Sequence, residues 1–243
     1  MIENQLYKIV SSRIFFHPRS SFGKLLEGYL KSRQAGIATI GESFRLIKES
    51  VKCLRKLEEI RREREMLLNE EEAKNIYLAV ISTENVPGDI AEVGVYQGGS
   101  AKLICEAKKG KRLHLFDTFE GLPEPSEKDG SYRKGQYECS LEKVQTYLAK
   151  YEEVYFYMGI APLSAKPVEK TCFSFVHLDV DLYKSTSDCL RFFYPRLSKA
   201  GVLISHDYVK SVGVKRAFDE FFGDKPEPIL RISSNQCLVV KVD

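Results

Sequence analysis

Apolar positions follow two rhythms along the chain. From about Ile40 they fall at Phe44, Ile47, Val51, Leu54 and Leu57, with Lys48, Glu49, Lys52, Arg55 and Lys56 between them. Steps of three and four predict one stripe of an amphipathic helix, which must cover the core or the same stripe on a second subunit. The charged run 61–65 reads as exposed helix or linker. It sets a soft boundary between a helical extension over 1–69 and a domain over 70–243. Asn69 followed by Glu72 has the form of an N-cap with its reciprocal Glu, opening a helix to about 81 that ends before Pro87-Gly88. Beyond Gly88 the apolar runs shorten. Strands are predicted over 89–94, 112–117, 154–158, 173–179 and 202–206, and helical or linking segments over 99–108, 140–150, 163–169 and 186–197. This alternation predicts a parallel sheet covered by helices on both faces, an α/β architecture. After a short helix at 215–222, segments 228–232 and 236–242 flank Ser233-Ser234-Asn235 as a terminal β-hairpin.

Composition narrows the class. The 243 residues are 43% apolar and 29% charged, ordinary for a folded domain. No apolar run approaches the roughly 18 residues of a membrane helix. The first residues lack a basic stretch followed by an apolar one, so no secretory signal is expected. Cys53, Cys105, Cys139, Cys172, Cys189 and Cys237 are scattered with no CxxC, which predicts reduced thiols in a cytoplasmic protein and no structural zinc cluster. A net charge of +3 gives no ground for a nucleic-acid partner. Residues 1–70 hold 14 Lys+Arg against 9 Asp+Glu, an excess that suits a solvated helical face. An acidic partner or a membrane surface is the alternative.

Four polar clusters fall at predicted strand ends. The first is Glu92-Val93-Gly94-Val95-Tyr96-Gln97-Gly98-Gly99-Ser100. Its glycines let backbone approach a ligand, and the helix that follows offers free N–H groups. The spacing is not the G-x-G-x-x-G of a dinucleotide pyrophosphate. An acidic Glu92 suits a cationic group, such as the amino group of S-adenosylmethionine. The second cluster is Asp117-Thr118-Phe119-Glu120-Gly121-Leu122-Pro123, where Asp117 is positioned to accept bonds from both ribose hydroxyls. The third, Asp179-Val180-Asp181-Leu182-Tyr183-Lys184-Ser185-Thr186, puts carboxylates at i and i+2 before Ser and Thr able to cap a helix. The fourth is Ser205-His206-Asp207-Tyr208. Ligands of open α/β sheets gather at the carboxyl ends of strands, so the four clusters are expected to converge. Core packing does not explain them.

These segments resemble the macrocin O-methyltransferase family. The resemblance rests on the run Gly88 to Gly99, on Asp117-Thr118-Phe119-Glu120-Gly121-Leu122-Pro123, and on Leu178-Asp179-Val180-Asp181-Leu182-Tyr183 with Ser185-Thr186, and covers about residues 70–242. It implies a class I methyltransferase fold, a Rossmann-like seven-stranded and mostly parallel sheet closed by an antiparallel hairpin. It also implies S-adenosylmethionine as cofactor and methylation of a sugar or similar hydroxyl, commonly with Mg²⁺. The expected cofactor contacts are Glu92, Gly94, Tyr96, Gly98, Ser100, Asp117, Thr118, Phe119, Gly159 and Asp179. The family's metal positions match Asp179, His206 and Asp207, also the expected catalytic residues. Where the family has Asp-Asp-Tyr this chain has His206-Asp207-Tyr208, and an imidazole suits Mg²⁺ poorly.

Methyl transfer from a sulfonium to a hydroxyl calls for a base or a metal beside the oxygen. Two versions stay open: Asp179 and Asp207, with His206, hold a divalent cation, or His206 or Asp179 is a metal-free base. His114 and His177 lie within apolar strands and read as structural. Segment 125–137 reads equally as a substrate lid or an ordinary loop. The expected partners are a small hydroxyl substrate and a second copy of the chain bound through the N-terminal helices. A non-catalytic nucleoside-binding or scaffolding protein and a nicotinamide oxidoreductase are the competing classes.

Overall fold

The computed structural model describes residues 40–242, with side chains from residue 45. The basic arm, His17 and the side chain of Phe44 lie outside the described residues. In chain order the elements are α1 (Ile40–Glu63), α2 (Glu70–Ser82), β1 (Asp89–Val93), α3 (Gly99–Ala107), β2 (Leu113–Asp117), α4 (Leu141–Leu148), β3 (Val154–Met158), β4 (Phe173–Leu178), α5 (Tyr183–Phe193), β5 (Leu197–Ser205), α6 (Val212–Phe222), β6 (Leu230–Arg231) and β7 (Cys237–Val240). The sheet order is β3-β2-β1-β4-β5-β7-β6. β1 to β5 run parallel, while β7 pairs antiparallel with both β5 and β6. The order reverses between β1 and β4, each flanked by strands on both sides, and the loops leaving them diverge to open a crevice.

β1 and β4 are buried on both faces. Period-two alternation splits their residues between two cores. Ile90 and Phe175 pack with α1, α2, α3 and α4; Ala91, Val93, Val176 and Leu178 pack with α5 and α6. The buried line of α1 is Ser50, Cys53, Leu57 and Ile60, whereas Val51 of the expected stripe is 42% exposed. Leu57 belongs to both lines, and Cys53 and Ile60 take the buried positions beside it.

Several boundaries differ from the periodic reading, among them α5, which starts at Tyr183 and ends at Phe193 rather than spanning 186–197. β5 begins at Leu197 rather than 202, because Pro195 closes a short 3-10 turn after α5 and the chain enters the sheet early. Segment 163–169 is a 3-10 helix, Leu163–Val168. α6 starts at Val212 because Ser211 Oγ accepts from the Val214 amide, an N-cap. The capping box at Asn69 and Glu72 forms as expected.

Candidate active site

One cavity of about 310 Å³ opens at the carboxyl ends of β1, β2, β4 and β5. Its wall includes Gly94, Tyr96, Ser100, Asp117, Thr118, Gly159, Asp179, His206 and Asp207, so residues from all four clusters meet there. Gly94 has a φ of +89°, and a Cβ there would stand 1.8 Å from the Asp179 carbonyl oxygen. Only glycine lets the loop after β1 cross β4 so closely. Tyr96, Phe119, Asp181 and Asp207 are non-glycine residues in the left-handed region. Such strain gathers where the surrounding structure holds a residue for use.

The loop side is held by Asp117. Its Oδ2 accepts from the Val95 and Tyr96 amides at 2.6 and 3.1 Å, and its Oδ1 from the Phe119 amide at 2.8 Å. A carboxylate read as a ribose acceptor thus also ties the β1 loop to the β2 loop. The α3 N-terminus has Gly98 as cap with no side-chain bond, leaving Gly99 and Ser100 amides beside the cavity.

Three expected contacts are not brought into the wall. Glu92 is fully buried behind it, 2.9 Å from His177 Nδ1, and burial pushes its pKa up against the pull of His177. Its Oε2 and His177 Nε2 have no hydrogen-bond partner. Gly98 backs onto Val144 and Tyr147, and the Phe119 ring is buried. His114 is structural, bridging Asp89 at 3.0 Å and the Tyr157 hydroxyl at 2.9 Å. Ser185 and Thr186 do not cap α5. Its first amide, of Tyr183, donates instead to Asp129 Oδ1 at 2.6 Å, from the loop before α4.

At the opposite wall the polar groups form a cluster. His206 Nδ1 lies 3.3 Å from Asp179 Oδ1 and 3.2 Å from Asp207 Oδ2, and Nε2 lies 3.5 Å from Glu72 Oε2. Asn235, at the tip of the terminal hairpin, donates to Asp207 Oδ1 at 2.7 Å. Burial disfavours the His206 cation, but Asp179, Asp207 and Glu72 outweigh it and hold its pKa well above the usual imidazole range. The Asp181 pKa is raised by burial, then by Asp179 and Asp207, whereas that of Asp207 is lowered against the effect of burial, chiefly by His206. The Tyr132 hydroxyl hydrogen-bonds Asp181, and its own pKa is raised by burial and by the two carboxylates. Tyr132 and Tyr137, from the segment 125–137 that reads equally as a lid or a loop, also line the cavity, and so does Asp181, two residues after Asp179. Lys210, Asn235 and the strap 65–68 line it too, and no sequence signal marks them as site residues.

Among curated proteins, the 8-demethyl-8-(2,3-dimethoxy-alpha-L-rhamnosyl)-tetracenomycin-C 4'-O-methyltransferase of Streptomyces olivaceus is 30% identical over 145 residues, 53% of this chain and 56% of that protein. The demethyldecarbamoylnovobiocin O-methyltransferase of Streptomyces niveus is 30% identical over 155 residues, 56% of this chain and 59% of that one. The chain spans little more than half the length of these relatives. Among solved structures, the O-methyltransferase NovP matches with a TM-score of 0.63 at 27% identity, over 73% of this chain and 82% of that one. The calicheamicin methyltransferase CalS11 matches with a TM-score of 0.58 over 95% of this chain and 96% of that one; at 17% identity the likeness is one of fold. The model of the macrocin-O-methyltransferase (TylF) family matches residues 70–237, from the helix capped by Asn69 to the last strand, and with that span the chain belongs to this family.

Proposed function

We propose that the chain is an S-adenosylmethionine-dependent O-methyltransferase that modifies a hydroxyl of a sugar or another small secondary metabolite. The observation that carries this reading is the meeting of four polar strand ends in one cavity, in a member of this family. The first curated relative's name places its methyl group on a rhamnosyl unit, which supports a sugar-like acceptor.

In this reading the cofactor lies along the loops after β1 and β2. Gly94, Tyr96 and the α3 amides at Gly99 and Ser100 receive its amino-acid end. Asp117 and Thr118 receive the ribose, one Asp117 oxygen exchanging a backbone amide for a sugar hydroxyl. Glu92 acts from behind the wall through Ser100, with which it interacts. Gly159, in the left-handed region, leaves room for the base.

Transfer is an in-line displacement. The acceptor oxygen forms the new O–C bond, the S–C electron pair returns to sulfur, and the hydroxyl proton leaves to a base. Holding oxygen and methyl in contact supplies about 7–11 kcal/mol of the barrier reduction. Asp179 is the candidate proton acceptor, beside a His206 ring that Asp179, Asp207 and Glu72 hold in its cationic form in the metal-free chain. Asp181, on the same wall, adds a further carboxyl group.

The residues fit a divalent cation. Asp179, His206 and Asp207 bring three donor atoms within 4.8 Å of one another, and Glu72 and Asp181 add carboxyl groups beside them. Mg²⁺ or another divalent ion bound there supplies Lewis-acid polarisation of the substrate oxygen.

We assign the protein to the cytoplasm, since all six cysteines are free. No described helix is long and apolar enough to cross a membrane. The homodimer through the N-terminal helices rests on the exposed Leu46 and Val51 of α1.

Calorimetric titration with S-adenosylhomocysteine tests the cofactor reading, and absence of binding to the folded chain removes it. Asp179→Ala tests the catalytic one: turnover on an identified acceptor falls about 10²–10⁴-fold. Unchanged turnover removes Asp179 from the catalytic residues.

A further inference from the structure

We propose that this site takes a nitrogen-accepting divalent ion of the manganese-to-zinc series in preference to Mg²⁺, and that Glu72 aims the His206 imidazole at it. The inference rests on the metal-assisted reading above and deepens it.

The two ring nitrogens of His206 have different surroundings. Nδ1 faces the cavity side of the cluster, 3.3 Å from Asp179 Oδ1 and 3.2 Å from Asp207 Oδ2. Asp179, His206 and Asp207 each offer one donor atom, so one donor in three is nitrogen, and Nδ1 is the ring nitrogen beside both carboxylates. Mg²⁺ prefers six oxygens and sheds water reluctantly, whereas imidazole affinity rises from Mn²⁺ towards Zn²⁺. A nitrogen in this position therefore selects by ligand type.

Nε2 faces away from those donors. It lies 3.5 Å from Glu72 Oε2 and 3.2 Å from Asn235 Nδ2, but that amide already donates to Asp207 Oδ1 at 2.7 Å. With Nδ1 on an ion, the ring proton sits on Nε2, and Glu72 is the acceptor that faces it. A carboxylate behind a ligating histidine fixes the tautomer and the ring plane.

Glu72 is built for this and is not a stray surface acid. Its side chain is 3% exposed, and its Oε1 is buried without a hydrogen-bond partner. Its Oε2 also accepts from the Asn69 amide at 2.9 Å, so the capping box holds the carboxylate in place. Capping alone needs one oxygen of a solvated glutamate. A desolvated carboxylate with an idle oxygen, directed at an imidazole, is costly unless it serves the ring.

The test uses the full chain, stripped of metal and titrated calorimetrically with Mg²⁺, Mn²⁺ or Zn²⁺ alone. One site is expected, with Mn²⁺ bound about tenfold or more tighter than Mg²⁺, and Zn²⁺ tighter still. Pulsed electron paramagnetic resonance of the Mn²⁺ form should detect ¹⁴N coupling, lost in His206→Asp together with much of the preference over Mg²⁺. Glu72→Gln, which keeps an oxygen for the Asn69 amide, should weaken Mn²⁺ about 10–100-fold at unchanged thermal midpoint. In the wild-type Zn²⁺ form, ¹⁵N spectra should find His206 protonated on Nε2, an answer that does not depend on any variant folding. Mn²⁺ bound without nitrogen coupling, or Mg²⁺ bound as tightly, overturns the metal class. A proton on Nδ1, or Glu72→Gln binding Mn²⁺ like the wild type, overturns the role of Glu72. If no cation binds while S-adenosylhomocysteine does, the metal site falls and the methyltransferase reading stands.

Discussion

Asp117 serves the loop and the proposed ligand with the same two oxygens. Three backbone amides converge on them, from Val95, Tyr96 and Phe119. Asp117→Ala leaves those donors without a partner and is expected to cost about 1–3 kcal/mol of stability. Affinity for S-adenosylhomocysteine should fall at least tenfold, measured by calorimetry beside a thermal melt. Full affinity would remove Asp117 from the cofactor site. His114 allows a pH prediction away from the cavity. Burial lowers its pKa, and the Asp89 carboxylate only partly offsets that. An unfolded imidazole titrates near pH 6.5, so below about that pH the unfolded chain binds the extra proton and this contribution to stability declines. His114→Gln should flatten the fall of the denaturation midpoint between about pH 6.5 and 5. Parallel curves for the two proteins would refute it. Residues also mark where sequence reasoning stopped. Glu92 was legible as an acid at a strand end, but strand alternation puts its side chain on the face of Ile90, in the core and not in the cavity.

Among elements, α1 gives the clearest case of packing overriding pattern. A spacing of three and four was enough to predict a helix, but not which of two adjacent stripes would be inward. Cys53, Leu57 and Ile60 share the core of α2 and α3, so the described part of the extension has no core of its own. Leu57→Ala is therefore expected to lower the unfolding free energy by about 2–5 kcal/mol in a denaturant titration. A loss under about 0.5 kcal/mol would mean that α1 is peripheral. α5 shows a second limit. The sequence offers Ser185 and Thr186 as residues able to cap it, yet its first amide is satisfied by Asp129, which a reading confined to neighbouring residues cannot find.

For the whole molecule, the homodimer reading is a proposal about the exposed apolar residues of α1. Leu46 and Val51 are both 42% exposed on one helix, and the homodimer reading needs them covered. Leu46→Glu combined with Val51→Glu should convert a dimer to a monomer in multi-angle light scattering, with cofactor affinity retained. A mass unaffected by the pair removes α1 as the interface. The alternation of β and α segments was by itself sufficient to establish an α/β protein with a parallel sheet, and to send the polar strand ends at Gly94, Asp117, Asp179 and His206-Asp207 to one edge. Local periodicity encodes which face of an element is apolar, and a right-handed crossover leaves little freedom in how such elements stack. Only the tertiary structure decided which acids reach the cavity and which support it. Glu72, Asp129, Tyr132 and Asn235 meet the strand-end residues from distant parts of the chain. Those contacts depend on side-chain direction and burial after folding, which no spacing along the sequence records.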